Sequence, residues 1–119
     1  MTVQRLHVSS RFSEISICGN LVHLAGQLAS DLDLDIQGQT QQTLAIIDQF
    51  LSDAGTDKRQ IMSVTIYLKD IEKDYAAFNE IWDIWVADIE ALPRTCVEAK
   101  LYDPRVLVEM TVVAVKPLP

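Results

Sequence analysis

The 119-residue chain predicts an α+β fold, with two helices covering one face of a six-stranded sheet. Three observations carry that expectation. Short runs alternating apolar and polar residues, several rich in β-branched side chains, recur along the chain. Two longer stretches repeat their apolar residues at helical spacing instead. The runs fall in the order βββ-α-β-α-ββ, which is not the strict alternation of a parallel α/β sheet.

The elements follow in sequence. Gln4–Val8, Glu14–Cys18 and Leu21–Ala25 read as strands, with Gly19-Asn20 turning between the last two. The polar stretch Ser30–Asp35 reads as a loop. Its aspartates Asp31, Asp33 and Asp35 lack the glycine and distal glutamate of an EF-hand, which assigns them to solvent. From Gly38 to Ala54, Leu44, Ile47, Leu51 and Ala54 share a helical stripe flanked by Phe50. Gly55 stands where a helix end favours a left-handed residue. Ile61–Leu68 is a β-branched strand. A second helix is expected over Asp74–Ala87, with the stripe Tyr75, Phe78, Trp82, Trp85 and Ile89, the tryptophans reading as core. Pro93 closes that segment before strands at Arg94–Leu101 and Val106–Val115, separated by a turn at Asp103-Pro104. No repeat, low-complexity tract or linker interrupts the chain, so residues 1–119 read as one domain.

Parity along the last strand bears on assembly. Val106, Val108, Met110, Val112 and Ala114 share the face suited to packing under the helices. The opposite face, Leu107, Glu109, Thr111, Val113 and Val115, is too apolar to leave in water, which predicts a symmetric homo-oligomer. In Arg94–Leu101 the same reasoning sends Thr95, Val97, Ala99 and Leu101 to the core. It sends Arg94, Cys96, Glu98 and Lys100 toward the oligomer interface.

Composition excludes several classes of function. Ten basic residues against seventeen acidic ones give a net charge of −7, opposed to binding nucleic acid or anionic membrane. No apolar run approaches the ~20 residues of a membrane-spanning helix, and the N-terminus lacks the apolar core of a signal peptide. Cys18 and Cys96 have neither CxxC spacing nor a nearby histidine, so neither a disulfide framework nor a zinc site is expected. The expected location is the reducing cytoplasm, with both thiols free.

Few residues have the setting that chemistry needs. Glu109 is the one charge in Val106–Val115. A lone carboxylate there must be paired with a cation such as Arg94 or Lys100, or poised for catalysis. Arg94 opens its strand directly after Pro93, where a guanidinium can reach a ligand. Cys96 has neither a base nor a helix N-terminus to activate it, so it reads as a pocket lining. His7 and His23 read as surface or packing residues. Gly26-Gln27 is too little for a phosphate-cradling loop.

Taken together, Gly19–Gln27, Phe78-Asn79-Glu80-Ile81-Trp82, Pro93–Glu98 and Leu107–Val115 resemble the reactive intermediate deaminase (Rid, or YjgF-type) family over essentially the whole chain. The resemblance implies a chorismate-mutase-like fold assembled as a homotrimeric barrel, with ligand clefts between subunits. It implies hydrolysis of 2-imino acids or their enamine tautomers to 2-keto acids and ammonia, without a cofactor. By the same resemblance, Arg94 grips the substrate carboxylate, Glu109 positions water, and Cys96, Gly26 and Asn79 line the cleft. The sequence departs from the family pattern at two places: Phe12 and Ala25 stand where many members carry a tyrosine and a serine. Two pocket hydroxyls are therefore missing, which bears on substrate preference. The rival readings are a non-catalytic carboxylate-binding module, an RNA-acting protein, which the charge disfavours, and chorismate mutase, which needs more cations than are visible.

Overall fold

The computed structural model describes residues 1–117, so the last two residues of the expected domain lie outside the described residues. The strands are β1 (Val3–Val8), β2 (Ser13–Cys18), β3 (Leu21–Gln27), β4 (Ile61–Leu68), β5 (Arg94–Glu98) and β6 (Val108–Val115). The helices are α1 (Ile36–Asp53) and α2 (Ile71–Trp85), with a 3-10 turn at Lys58–Gln60 that the sequence did not announce. The strands form one mixed sheet in the order β1-β2-β3-β6-β4-β5. All neighbours are antiparallel except β4 and β5, which α2 joins as a parallel crossover.

Helix and strand periodicities meet in one core. Ile15, Val22, Val64, Ile66, Met110 and Val112 point to the helix side of the sheet. There they pack with Leu44, Ile47 and Leu51 of α1 and Phe78 and Trp82 of α2. The other face carries no helix. On it lie Tyr67, Val97, Val113, Val115 and Leu21 beside Thr65, Thr111 and Glu109, all partly exposed.

Both helices begin earlier than their apolar stripes suggest, because aspartates cap them. Asp35 accepts a hydrogen bond from the Gly38 amide at 2.8 Å, and Asp70 accepts one from the Lys73 amide at 3.1 Å. Asp35, exposed at the end of the expected Ser30–Asp35 loop, thus also serves as a cap, and Asp33 lies 3.4 Å from the Arg105 guanidinium. α1 ends as expected, with Gly55 left-handed at φ +85°. β5 stops at Glu98, short of Leu101, because its partner β4 ends there: Leu68 is level with Glu98. Val106 and Leu107 precede β6 instead of opening it. Val106 is fully buried, and Leu107 packs at the edge of the core instead of on the open face.

The parity expected for β5 is reversed. Arg94 is level with the buried Val64 and Cys96 with the buried Ile66, so both face α2. Thr95 and Val97 are level with Thr65 and Tyr67 on the open face. The expectation put the more apolar set inward. α2 reverses it by laying the rings of Tyr75, Phe78 and Trp82 over the strand edge, where they receive the arginine. Glu98 accepts from the Ile71 amide at 3.1 Å and so helps cap α2.

One buried polar side chain ties the loops together. Gln39, fully buried on α1, donates to the carbonyls of Leu32, Leu34 and Arg105 and accepts from the Leu107 amide. Gln39→Leu strands these groups and should cost about 3 kcal/mol, read as a lower urea midpoint with an unchanged m-value.

Candidate functional site

Two clusters of candidate residues emerge, on opposite faces of the sheet. The first is built around Arg94, at the start of edge strand β5. The preceding Pro93 carbonyl accepts from the Val64 amide at 3.0 Å, which fixes where the strand begins. The guanidinium carbon lies 5.2 Å from the Trp82 ring centre and 5.8 Å from those of Tyr75 and Phe78. Such contacts contribute on the order of 0.5–2 kcal/mol each when desolvated. Nη2 donates to Asn79 Oδ1 at 2.8 Å and to the Tyr75 hydroxyl at 3.3 Å, residues one helical turn apart on α2.

The other terminal nitrogen, Nη1, is buried and has no hydrogen-bond partner. A buried cationic donor left unmatched is costly, and it marks where an acceptor belongs. Cys96 sits two residues along on the same face. Burial pushes its thiol up, with the nearby Arg94 charge opposing, so it is held protonated and not as a nucleophilic thiolate. Asp103 and Lys58 find their charge partners elsewhere, in Arg105 and Asp88.

The second cluster is built around Glu109. β3 carries a bulge in which Ala25 and Gly26 together oppose Thr111, since Leu24 is level with Val112 and Gln27 with Met110. The Glu109 carboxylate lies across the bulge. A Cβ placed on Gly26 would come within 2.1 Å of Glu109 Oε2, so glycine is the residue that permits this approach. Burial raises the Glu109 carboxyl above the usual glutamate range, and among the described residues no ion pair offsets it. The pairing with Arg94 or Lys100 that would have made it structural is absent among the described residues. Phe12, from the turn between β1 and β2, lines a cavity with Gly26 and Glu109. Ala25 lies in the bulge and gives its carbonyl to Gln27, without lining that cavity.

The structure therefore brings Arg94 together with Asn79 and Cys96, and Glu109 together with Gly26 and Phe12. It does not bring the two groups together within one protomer. Arg94 is level with Val64 and Glu109 with Tyr67, and β4 separates their strands. They stand roughly 10 Å apart across the sheet and a further ~10 Å along it, with side chains on opposite faces. Among the described residues, no three His, Cys, Asp or Glu side chains gather to hold a metal ion.

The family model described as Endoribonuclease L-PSP matches residues 2–116. A RutC family protein of Haemophilus influenzae is 41% identical over 115 residues, 96% of this chain and 98% of that protein. This chain belongs to the Rid (YjgF/RutC) family. A further Rid-family relative, the RutC family protein YoaB of Escherichia coli, is 39% identical over 114 residues, 96% of this chain and 98% of its own. Among solved structures, a YjgF family member from Neisseria meningitidis superposes with a TM-score of 0.94 at 35% identity, covering 100% of this chain and 98% of that one. An uncharacterized protein from Pseudomonas aeruginosa gives 0.92 at 43% identity, covering 98% and 100%. The Rid fold expected from the sequence is thus the fold observed.

Sequence reasoning did not single out Tyr75, or give Phe78 and Trp82 any role beyond the core. The signal was present: Tyr75, Asn79 and Trp82 recur at i, i+4 and i+7 on the helix preceding Arg94. Glu14 and Tyr102, which line the cavity with Glu109, carried no comparable signal. Gly26→Ala tests the Glu109 cluster. The clash falls on the end of a flexible side chain, so the melting temperature should move by only a few degrees. A crystal structure of the variant should show the Glu109 carboxylate swung off the bulge.

Proposed function

We propose that this Rid-family chain hydrolyses 2-imino acids, or their enamine tautomers, to 2-keto acids and ammonia, in clefts shared between the subunits of a homotrimer. The observation that carries this reading is the buried, unpartnered Nη1 of Arg94 beside an Nη2 already held by Asn79 and Tyr75. A guanidinium whose Nη2 is already engaged keeps the N–H groups of Nη1 for an acceptor, and a carboxylate oxygen matches their charge once that buried nitrogen is uncovered. A neutral or cationic ligand would leave that charge unmatched.

The open sheet face supports the assembly. Tyr67, Val97, Val113 and Val115 lie there unprotected by any helix, and a neighbouring copy is the natural cover. Packing copies around this face gives Arg94 of one protomer a Glu109 from the next, which a single protomer does not supply.

The chemistry then needs no covalent nucleophile. With its carboxylate on Arg94, a protonated imine presents an electrophilic carbon already short of electrons. Glu109 accepts a proton from water as the water oxygen bonds to that carbon and the C=N π pair moves to nitrogen. The resulting carbinolamine collapses as the C–N bond breaks. Glu109 returns its proton to the nitrogen, ammonia departs with the C–N electron pair, and the hydroxyl proton passes to Glu109 and on to solvent as the C=O of the keto acid forms. An anionic Glu109 also stabilises the adjacent iminium charge. Cys96, kept as a thiol, lines the cleft. The endoribonuclease description of the family model finds no support in a chain of net charge −7.

Arg94→Ala should remove at least 1,000-fold of kcat/KM on 2-iminopropanoate while the protein stays folded, and wild-type rates in that variant would refute the assignment. Glu109 must be ionised to act as a base, and burial raises its carboxyl. Activity should therefore fall on the acid side at a pH above that of an exposed glutamate, and Glu109→Gln should abolish that limb along with most turnover.

A further inference from the structure

Glu109 lies in the wall of a cavity that in the single protomer measures about 790 Å³, several times what a small imino acid occupies, so room remains for a substituent beside a neighbouring subunit. A three-carbon imino acid has six heavy atoms and displaces roughly six waters, or about 180 Å³ of liquid. Besides the carboxylate, Phe12, Leu28, Ile46 and Phe50 give the wall most of its apolar surface, while Arg11, Glu14, Gln27, Ser30, Gln49 and the exposed Tyr102 also line it. A mostly apolar wall with a few polar groups is the lining of a site that holds an apolar group.

The far wall is also held in place. The Phe50 ring stacks on His7, with ring centres 4.9 Å apart and planes at 29°. His7 hydrogen-bonds Asp53 Oδ2 at 2.8 Å, and Gln49 donates to Asp53 Oδ1 at 2.8 Å, so both carboxylate oxygens are used. His7 itself has a left-handed backbone, φ +53°, the one non-glycine residue so placed among those described. Histidine is among the non-glycine residues that enter this region most readily. Here the conformation delivers the imidazole to the back of Phe50.

Resting on the imine-hydrolysis reading above, we propose that this cavity receives the substrate's side chain. The preferred substrates are then 2-imino acids bearing a large apolar or aromatic substituent, packed against Ile46 and the His7-backed ring of Phe50. The three-carbon imine would leave most of the cavity unfilled and forgo that burial. Phe12, where the sequence carries no hydroxyl, suits an apolar occupant.

The test uses imino acids generated in place by an amino acid oxidase from alanine and from phenylalanine. Binding of the corresponding keto acids, pyruvate and phenylpyruvate, is measured beside it by calorimetry. The expected result is kcat/KM at least tenfold higher for the phenylalanine-derived imine, and phenylpyruvate bound at least tenfold more tightly than pyruvate. Ile46→Trp, which fills the cavity, should erase both preferences in a protein whose circular dichroism is unchanged. Equal binding of the two keto acids, or preferences that survive Ile46→Trp, would overturn the pocket. If that variant does not fold, the wild-type binding ratio decides alone. Selective phenylpyruvate binding with no imine turned over would uphold the pocket and overturn the hydrolysis reading instead.

Discussion

Two helices cannot cover both faces of a six-stranded sheet, and the consequences of that constraint run through the molecule. α1 and α2 share one face and build the core there with Ile15, Ile66, Met110 and their neighbours. The other face keeps its valines, Tyr67 and Glu109 at half exposure. The same division separates the chemistry. Arg94 is on the helix side because α2 offers it a bed of aromatic rings, while Glu109 is on the bare side over the Gly26 bulge. A site that uses both groups must be assembled from more than one copy of the chain.

Each half is prepared in advance by its surroundings. Three rings and two hydrogen bonds hold the Arg94 guanidinium with one nitrogen still unmatched and covered by its neighbours, so the cation is fixed in place before an acceptor reaches it. On the other side, the β3 bulge and the missing Cβ of Gly26 let Glu109 lie flat against the backbone. Partial burial makes its proton easier to keep than in water, which brings a carboxylate closer to the range where it serves as a base. Neither arrangement is explained by stability alone. A buried cation without an acceptor and a desolvated carboxylate without a partner both cost free energy in the isolated chain.

The fold was largely legible because its signals are periodic. The alternation in Ile61–Leu68 and Val108–Val115 and the 3.6-residue stripes of both helices led to the correct element order. Boundaries were less legible where a single side chain sets them, as Asp35 and Asp70 do at the helix starts. The orientation of β5 was misjudged for a physical reason. Parity tells which residues share a face, and hydrophobicity is a poor guide to which face is inner when a cation is sheltered by aromatic rings. Arg94, Glu109, Cys96, Gly26 and Asn79 were singled out from a family resemblance joined to charge and position. What no residue pattern disclosed was their division into two groups on opposite faces, because that depends on the register of β4 between β5 and β6.

The account stands or falls on whether Arg94 and Glu109 act across a subunit boundary, and mixing two inactive variants tests this most directly. On the proposed homotrimer, Arg94→Ala and Glu109→Gln chains, unfolded and refolded together in equal amounts, form mixed trimers. In each of these, one cleft joins an intact arginine to an intact glutamate. Random assembly then predicts recovery of about a quarter of wild-type activity, from two protein preparations that have almost none apart. If the mixture stays as inactive as its components while mass measurements show that mixed oligomers have formed, the two residues do not complete one another between subunits, and the shared cleft is refuted.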